Sequence, residues 1–209
     1  MAKILFVQQN EWQQLGILYL SGALKKHGHK CELVLGSDYS EFSNKVAAFK
    51  PDLIGFSIMT GGHHWALEVA QYLKGINPEL KTIFGGPHCT FFPEFIEREG
   101  VDFLVRGEGE DACLELMNCI QDGTDYSKVL SLWLKTENGE IIKNQIADLG
   151  EIDDVPFPDR ELYKPYLKVI DMSVLNVLTS RGCPYKCTFC FEPAQQEIYK
   201  GKGKYVRLR

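Results

Sequence analysis

The sequence predicts an α/β fold whose main part is a doubly wound, five-stranded parallel sheet. Five short apolar runs alternate with helical patterns over residues 1–120, an order typical of βαβ crossovers. The runs are nearly continuous in apolar residues, as expected for strands that are covered on both faces. Hydrophobic residues make up 44% and charged residues 24% of the 209-residue chain, which excludes a disordered or coiled-coil protein.

Each predicted strand is followed by a predicted helix. Ala66, Val69 and Leu73, for example, recur at the i, i+3, i+7 spacing of one helix face. A doubly wound sheet of this kind favours the flavodoxin-like strand order 2-1-3-4-5. The predicted strands cover residues 3–7, 31–35, 52–57, 81–84 and 102–105, and the predicted helices cover residues 15–27, 41–49, 66–73, 92–96 and 113–120.

A β-hairpin is predicted directly after these five units. Residues 130–136 and 140–144 are two strand-like runs, and Asn138 and Gly139 between them suit a tight hairpin turn. The first predicted domain therefore covers residues 1–145.

The chain changes character after the hairpin. Pro156 and Pro158 interrupt helices and central strands alike, so residues 146–172 are predicted to be a linker. Residues 173–179 predict one more strand, which opens a second domain over residues 173–209. Because little sequence follows, we expect the chain to end inside that domain.

The charge and the cysteine content of the chain limit the classes of function that it can have. The net charge is −5, which argues against a general nucleic-acid binder. The sequence contains neither an apolar run long enough for a membrane span nor a secretory signal, so a cytoplasmic location is expected. Seven cysteines are an odd count. Metal binding or redox chemistry is therefore a better interpretation of them than a disulfide framework.

Three of these cysteines lie within eight residues. Cys183, Cys187 and Cys190 have the spacing C-x3-C-x2-C. Structural zinc and electron-transfer 4Fe–4S centres usually have four protein ligands. Three thiolates would leave one iron of a 4Fe–4S cluster open, where a substrate or cofactor could chelate. Unused thiols and an adventitious zinc knuckle remain alternatives at this point.

This segment resembles the signature of the radical S-adenosylmethionine (radical SAM) superfamily, in which an aromatic residue precedes the last cysteine. Phe189 occupies that position. The resemblance implies a 4Fe–4S cluster on Cys183, Cys187 and Cys190, with S-adenosylmethionine chelating the fourth iron and being cleaved to a 5′-deoxyadenosyl radical. It also implies that residues 173–209 begin a β/α barrel. A small reducing protein such as flavodoxin or ferredoxin is the implied electron donor.

Glycines follow three of the predicted strands, at the edge where open α/β sheets bind ligands. They are Gly55, Gly85 with Gly86, and Gly107 with Gly109. A dinucleotide site would need G-x-G-x-x-G after the first strand. Residues 8–12 contain no glycine, so a dinucleotide site is a poor interpretation.

The arrangement looks like the cobalamin-binding domain that precedes radical SAM domains in one large subfamily. The matching features are Gly55, Ser57 and Thr60, the pair Gly85 and Gly86, the Gly-Glu-Gly-Glu run 107–110, and the Pro-Phe-Pro linker. In that family the nucleotide tail of cobalamin lies between sheet and helices. The resemblance implies that Ser57 and Thr60 bind the tail and that Gly85, Gly86 and Gly107 give it room.

Loop one departs from the methyl-carrier cobalamin domains. Those proteins carry D-x-H-x-x-G there, with a histidine that ligates cobalt from below. Residues 10–15 contain no histidine, so we expect no histidine below the cobalt.

Some of these residues also have simpler interpretations. Ser57 and Thr60 could cap the next helix. Glu108, Glu110 and Asp111 could complement the dipole of the following helix. Trp12 is expected to pack at the sheet edge, with a cofactor contact as the alternative that its location leaves open.

Three functional hypotheses follow. The first, which the cysteine spacing favours, is a cobalamin-binding radical SAM enzyme, with methyl transfer to an unreactive carbon as one such reaction. The second is a cobalamin carrier or sensor module, or a domain that has lost cobalamin. The third is an electron-transfer or zinc protein. No residue is assigned as catalytic, and the substrate is not identified. We expect the 209-residue chain to be inactive alone, because the rest of the S-adenosylmethionine pocket would lie in further barrel strands.

Overall fold

The computed structural model describes residues 1–170 and 173–209, and within them seven strands form the main sheet. These strands are β1 (Lys3–Gln8), β2 (Lys30–Leu35), β3 (Leu53–Ser57), β4 (Lys81–Gly85), β5 (Phe103–Val105), β6 (Leu132–Lys135) and β7 (Ile141–Lys143). The helices that alternate with them are α1 (Leu15–Lys26), α2 (Tyr39–Phe49), α3 (His63–Ile76), α4 (Pro87–Phe91) and α5 (Glu110–Asp122).

The strand order is β2-β1-β3-β4-β5-β6-β7. The first five strands pair in parallel, which confirms the predicted order 2-1-3-4-5. The predicted hairpin is also confirmed, and it extends the sheet because β6 pairs antiparallel with β5. No helix among the residues described is long and apolar enough to cross a membrane.

Alternate residues of β1 pack on opposite faces of the sheet. Ile4 and Phe6 join a core with apolar residues of α1 and α5. Leu5 and Val7 join a second core, with apolar residues of α2 and α3. Since both faces of the sheet are covered, each central strand has to be apolar throughout, as the sequence pattern indicated.

The connection between β4 and β5 differs from the prediction of one helix over residues 92–96. It consists of the short helix α4 and a 3₁₀ helix, Pro93–Glu97. Pro93 cannot donate a backbone hydrogen bond to a preceding turn, so α4 ends at Phe91 and a new turn begins.

The predicted linker packs against the first domain. Its 3₁₀ helix, Arg160–Tyr166, places Leu162 and Tyr163 in the core beside α1. The backbone N–H of Asp159 donates to the carbonyl of Leu18 (2.9 Å), and its carboxylate pairs with Lys25 (2.6 Å). Residues 146–170 therefore form a strap over the domain. Residues 171 and 172, which end the predicted linker, lie outside the described residues, and the domain boundaries stay a prediction.

The prediction of a strand over residues 173–179 is wrong. The carboxyl-terminal part instead contains β8 (Ser180–Arg181) and β9 (Arg207–Leu208), which pair antiparallel, and helix α6 (Glu192–Ile198). Val174, Leu175 and Val177 are exposed. Their apolar pattern suits a strand, but a strand also needs a pairing neighbour, and residues 173–179 pair with none among those described. The predicted beginning of a β/α barrel is not seen.

Candidate functional site

A cleft of about 550 Å³ opens at the carboxyl edge of the sheet. It lies between the strands on one side and helices α1 and α5 on the other. Its inner walls are mostly apolar, and charged residues stand at its mouth. The inner lining includes Ile4, Phe6, Gly16, Tyr19, Leu20, Gly55, Ser57, Ile83, Gly85, Val105 and Cys113, and the mouth includes Glu108, Glu110, Arg181, Gly182, Tyr205 and Arg207.

Glycines, which have no side chain, keep the inner part of the cleft open. A Cβ on Gly85 would have the Cβ of Val105 as its nearest non-neighbouring atom in the described chain, at 3.9 Å, and a Cβ on Gly16 would lie 3.9 Å from Oγ of Ser57. A Cβ on Gly55 would come within 2.9 Å of the Phe6 ring. Gly55 therefore makes room for Phe6, whereas Gly85 and Gly16 leave space for a ligand.

Gly86 lines the cleft, but the backbone also requires a glycine there. Its φ is +93°, a conformation that favours glycine. An added Cβ would lie 2.8 Å from the carbonyl oxygen of Ile58, the same oxygen that accepts a hydrogen bond from the N–H of His88. The turn itself therefore requires Gly86, and its role in leaving room for a ligand stays a prediction.

Gly107 also lines the cleft and has a φ of +82°. An added Cβ would collide with the hydroxyl of Tyr199. The N–H of Gly107 donates to Oγ1 of Thr90 (3.0 Å), and the next N–H, of Glu108, donates to the Tyr199 hydroxyl (2.6 Å). The loop after β5 is therefore held by two hydroxyl groups.

The two hydroxyl groups that were predicted to bind the nucleotide tail lie in different places in the structure. Ser57 lines the cleft, whereas Thr60 is not among its lining residues. Thr60 is hydrogen-bonded through Oγ1 to Nδ1 of His88 (3.1 Å). Helix α3 begins after Gly62 without a side-chain cap, so the alternative that Ser57 or Thr60 caps this helix is wrong.

Three histidines meet beside the cleft, at the carboxyl ends of β3 and β4. The His63 ring stacks on His88 with ring centroids 4.0 Å apart, and His64 lies 4.0 Å from His63. Burial and the neighbouring histidine lower the pKa of His88 and of His63 below the ordinary value. Because the adjacent parallel strands β3 and β4 end at one edge of the sheet, their carboxyl ends bring the three residues together.

The loop after β1 is shaped by Gln8. This buried side chain donates through Nε2 to the carbonyl oxygens of Asn10 and Trp12. The prediction that Trp12 packs at the sheet edge is wrong, because its side chain is 56% exposed. With Gln8 satisfying the loop carbonyls, the Trp12 ring is directed to solvent.

Charged residues form an ion-pair cluster at the mouth of the cleft. Arg181 pairs with Glu108 (3.0 Å) and with Glu110 (2.5 Å), and Arg207 also pairs with Glu108. Burial alone would lower the pKa of Arg181, but Glu110 and Glu108 raise it. Glu110 and Asp111 do lie in the first turn of α5 as predicted. Sequence reasoning missed the arginine partners, which are far away along the chain.

The three clustered cysteines lie close to this mouth. Arg181 and Gly182, which directly precede Cys183, line the cleft. Cys183 and Cys190 are half-buried and Cys187 is exposed. Phe189 is 92% exposed and lies outside the cleft lining. Among the residues described, no group of three His, Cys, Asp or Glu side chains is arranged to hold a metal ion, so the cluster ligands stay a prediction.

The other four cysteines lie in the first domain. Cys31, Cys89 and Cys113 are buried, and burial raises the pKa of each thiol. Cys119 is half-buried rather than a core residue.

The comparisons with known proteins agree with this architecture. The family model for the B12 binding domain matches residues 2–117. An uncharacterized methyltransferase of Pyrococcus horikoshii is 33% identical over 189 residues, which are 87% of this chain and 41% of that protein. The cobalamin-dependent radical SAM methyltransferase TokK of Streptomyces tokunonensis is 28% identical over 212 residues, 90% of this chain and 30% of that protein.

A solved structure shares the fold. The cobalamin-dependent S-adenosylmethionine radical enzyme OxsB, with aqua-cobalamin and S-adenosylmethionine bound, superimposes with a TM-score of 0.75 at 24% identity, covering 91% of this chain and 28% of that one. The chain thus spans 41% or less of the lengths of these relatives. Because the matched family model covers more than half of the sequence, the chain belongs to the B12-binding domain family.

Proposed function

We propose that this chain is the cobalamin-binding and cysteine-bearing part of a cobalamin-dependent radical SAM enzyme that transfers a methyl group to an unreactive carbon. One observation carries the proposal. Gly16 and Gly85 keep the inner part of the cleft open. Its mouth is lined by Arg181 and Gly182, the residues directly before Cys183. A ligand in the cleft would therefore lie next to the start of the cysteine motif.

The inner cleft fits the nucleotide tail of cobalamin. A tail that enters between helix and sheet needs a narrow space without side chains, and Gly16 and Gly85 provide it. Ser57 supplies a hydroxyl on the same wall. The volume is typical of small-molecule sites, and the apolar walls would exclude water from the buried part of the ligand.

The cysteine motif fits an iron–sulfur cluster by its donor set, since three soft thiolates suit iron and sulfide. When bound, the cluster supplies the electron that cleaves S-adenosylmethionine, and cobalamin supplies the methyl group. Cys183, Cys187 and Cys190 would hold the cluster, with Phe189 beside the last ligand. A small reducing protein such as flavodoxin or ferredoxin would donate the electron, and the need for reduced thiolates agrees with a cytoplasmic location.

A titration with hydroxocobalamin tests the proposal. Gly85→Leu fills the cleft where the described chain leaves it open, so we expect cobalamin affinity to fall at least about tenfold, by a steric clash with the tail. Gly75→Leu is the matched control, because no described atom outside its chain neighbours and its own helix backbone lies within 4 Å of an added Cβ there. Equal affinities for the two variants, at similar thermal stability, would contradict tail binding in this cleft. No binding by the unaltered 209-residue chain would count against cobalamin as its ligand.

A further inference from the structure

Two arginines face each other across the small sheet near the cysteine motif. Arg181 of β8 and Arg207 of β9 are directly paired in its register. Like charges at opposed positions repel each other. Both are largely buried, and Arg207 is only 5% exposed, so water does little to screen them. The sheet therefore requires acidic partners for both guanidinium groups.

The loop after β5 and the first turn of α5 supply those partners. Glu108 accepts hydrogen bonds from Arg207 and pairs with Arg181 at 3.0 Å, and Glu110 pairs with Arg181 at 2.5 Å. Arg207 also donates to the carbonyl oxygen of Gly150 (2.9 Å). Removing one member of a buried ion-pair group leaves an uncompensated charge. The pairing of β8 with β9 thus depends on two carboxylates from a distant part of the sequence.

The same contacts fix where the cysteine motif begins. Gly182, between Arg181 and Cys183, has a φ of +79°, and an added Cβ would collide with the carbonyl oxygen of Tyr205. The carbonyl oxygen of Cys183 accepts a hydrogen bond from Nε2 of Gln196 (2.5 Å). The chain entering the motif is therefore held at Arg181 and again at Cys183.

We propose that Glu108 and Glu110 are positioning residues, which hold Arg181 and Arg207 so that residues 180–209 close over the mouth of the cleft and present the cysteine motif to its ligand. The inference rests on the proposed function. Because these four side chains also line the cleft, cobalamin in the cleft and closure by residues 180–209 favour each other. Such coupling is reciprocal.

A charge swap tests this on the full 209-residue chain. Arg181→Glu and Glu110→Arg should each speed amide hydrogen exchange in residues 180–209 and weaken hydroxocobalamin binding about fivefold to tenfold. The double variant restores opposite charges between positions 181 and 110, although Glu108 then faces a carboxylate at position 181, so it should recover part of both losses. Lys164→Glu is the control, because its pair with Glu161 is exposed, and it should change neither measurement. Glu110→Gln is a milder variant that should give the same two effects, to a smaller extent, if Glu110→Arg fails to fold.

The outcomes are distinguishable. Unchanged amide exchange in the folded single variants would overturn the positioning role. A double variant that recovers neither slow exchange nor hydroxocobalamin affinity, even in part, would overturn it as well. Faster exchange without any loss of cobalamin affinity would overturn the coupling. If the unaltered chain binds no hydroxocobalamin, the proposed function and the coupling both fail. The exchange data then still decide whether the two carboxylates hold residues 180–209.

Discussion

The hydroxyl of Tyr163 donates a 2.5 Å hydrogen bond to Oε1 of Gln8. Both side chains are almost fully buried, and they lie 155 residues apart in the sequence. The same hydroxyl accepts a hydrogen bond from the N–H of Gln14 (3.1 Å). Since Gln8 shapes the loop after β1, the strap helps to hold that loop as well as covering α1.

Tyr163→Phe should therefore lower the free energy of unfolding by about 1–3 kcal/mol, because Oε1 of Gln8 and the N–H of Gln14 lose a buried partner. Urea unfolding monitored by circular dichroism measures the change. Tyr72→Phe is a suitable control, because Tyr72 is 37% exposed. A loss no larger than that of the control would show that this buried contact does little for stability.

The predicted domain boundary at residue 145 can be checked by shortening the chain. Residues 1–145 contain the whole seven-stranded sheet and should fold. They should nevertheless melt several degrees below residues 1–170, because Leu162, Tyr163 and Ile170 would no longer cover the core beside α1. Calorimetry of the two fragments measures the difference. Equal melting temperatures would show that the strap adds no stability to the domain.

The cysteine motif predicts about four irons per chain after anaerobic reconstitution with iron and sulfide. Cys183→Ala, Cys187→Ala and Cys190→Ala should each abolish iron uptake, while Cys119→Ala, at a half-buried cysteine outside the motif, should not. Iron and acid-labile sulfide assays provide the measurement. Stoichiometric zinc without iron uptake would favour the zinc-protein hypothesis instead.

The order of the parallel strands could be predicted because it follows from local signals. Residues 3–7 and 52–57 are nearly continuous apolar runs, and each is followed by a helical pattern. The run at residues 173–179 has similar apolar content, but it forms no strand because strand formation also depends on a neighbour. The pattern of apolar residues within one segment cannot show whether a neighbouring strand is available to pair with it.

The site was predictable only in part, for a related reason. Ser57 and Gly85 are the last residues of β3 and β4, so sheet topology alone brings them to the cleft. Glu110 had a sufficient local explanation in the helix dipole, and its bond to Arg181 spans 71 residues. Ion pairs of this kind depend on packing between distant segments, which periodicity does not reveal.

The histidine cluster predicts a dependence of stability on pH. The pKa values of His88 and His63 are lowered in the folded chain, so the folded state binds fewer protons than the unfolded state just below the ordinary histidine pKa of about 6.5. Stability should fall as the pH drops through this window. His88→Gln should reduce the fall, because it removes one of the two groups whose pKa is lowered. Urea unfolding midpoints at pH 7.5 and 5.5 measure it, and a fall in the variant as large as in the unaltered chain would contradict the prediction.

The last prediction concerns the lower face of cobalt. Residues 10–15, where the methyl-carrier domains have their cobalt ligand, contain no histidine. His88 and His63 lie elsewhere, at the carboxyl ends of β4 and β3, where Nδ1 of His88 contacts Thr60 and Nδ1 of His63 accepts the N–H of Gly61 (3.1 Å). With the nucleotide tail in the cleft, no nitrogen should lie below the cobalt. Paramagnetic resonance of the Co(II) form should therefore show no triplet splitting from nitrogen.

Variants identify the source of any splitting that does appear. Triplets that vanish in His88→Ala or His63→Ala would show that a histidine ligates cobalt and that the assignment of the lower face is wrong. Triplets that persist in both variants, and become doublets when the cobalamin carries a ¹⁵N-labelled nucleotide base, would come from that base. In that case the tail would be folded under the corrin rather than extended past Gly85, and Gly85→Leu should then leave cobalamin affinity unchanged.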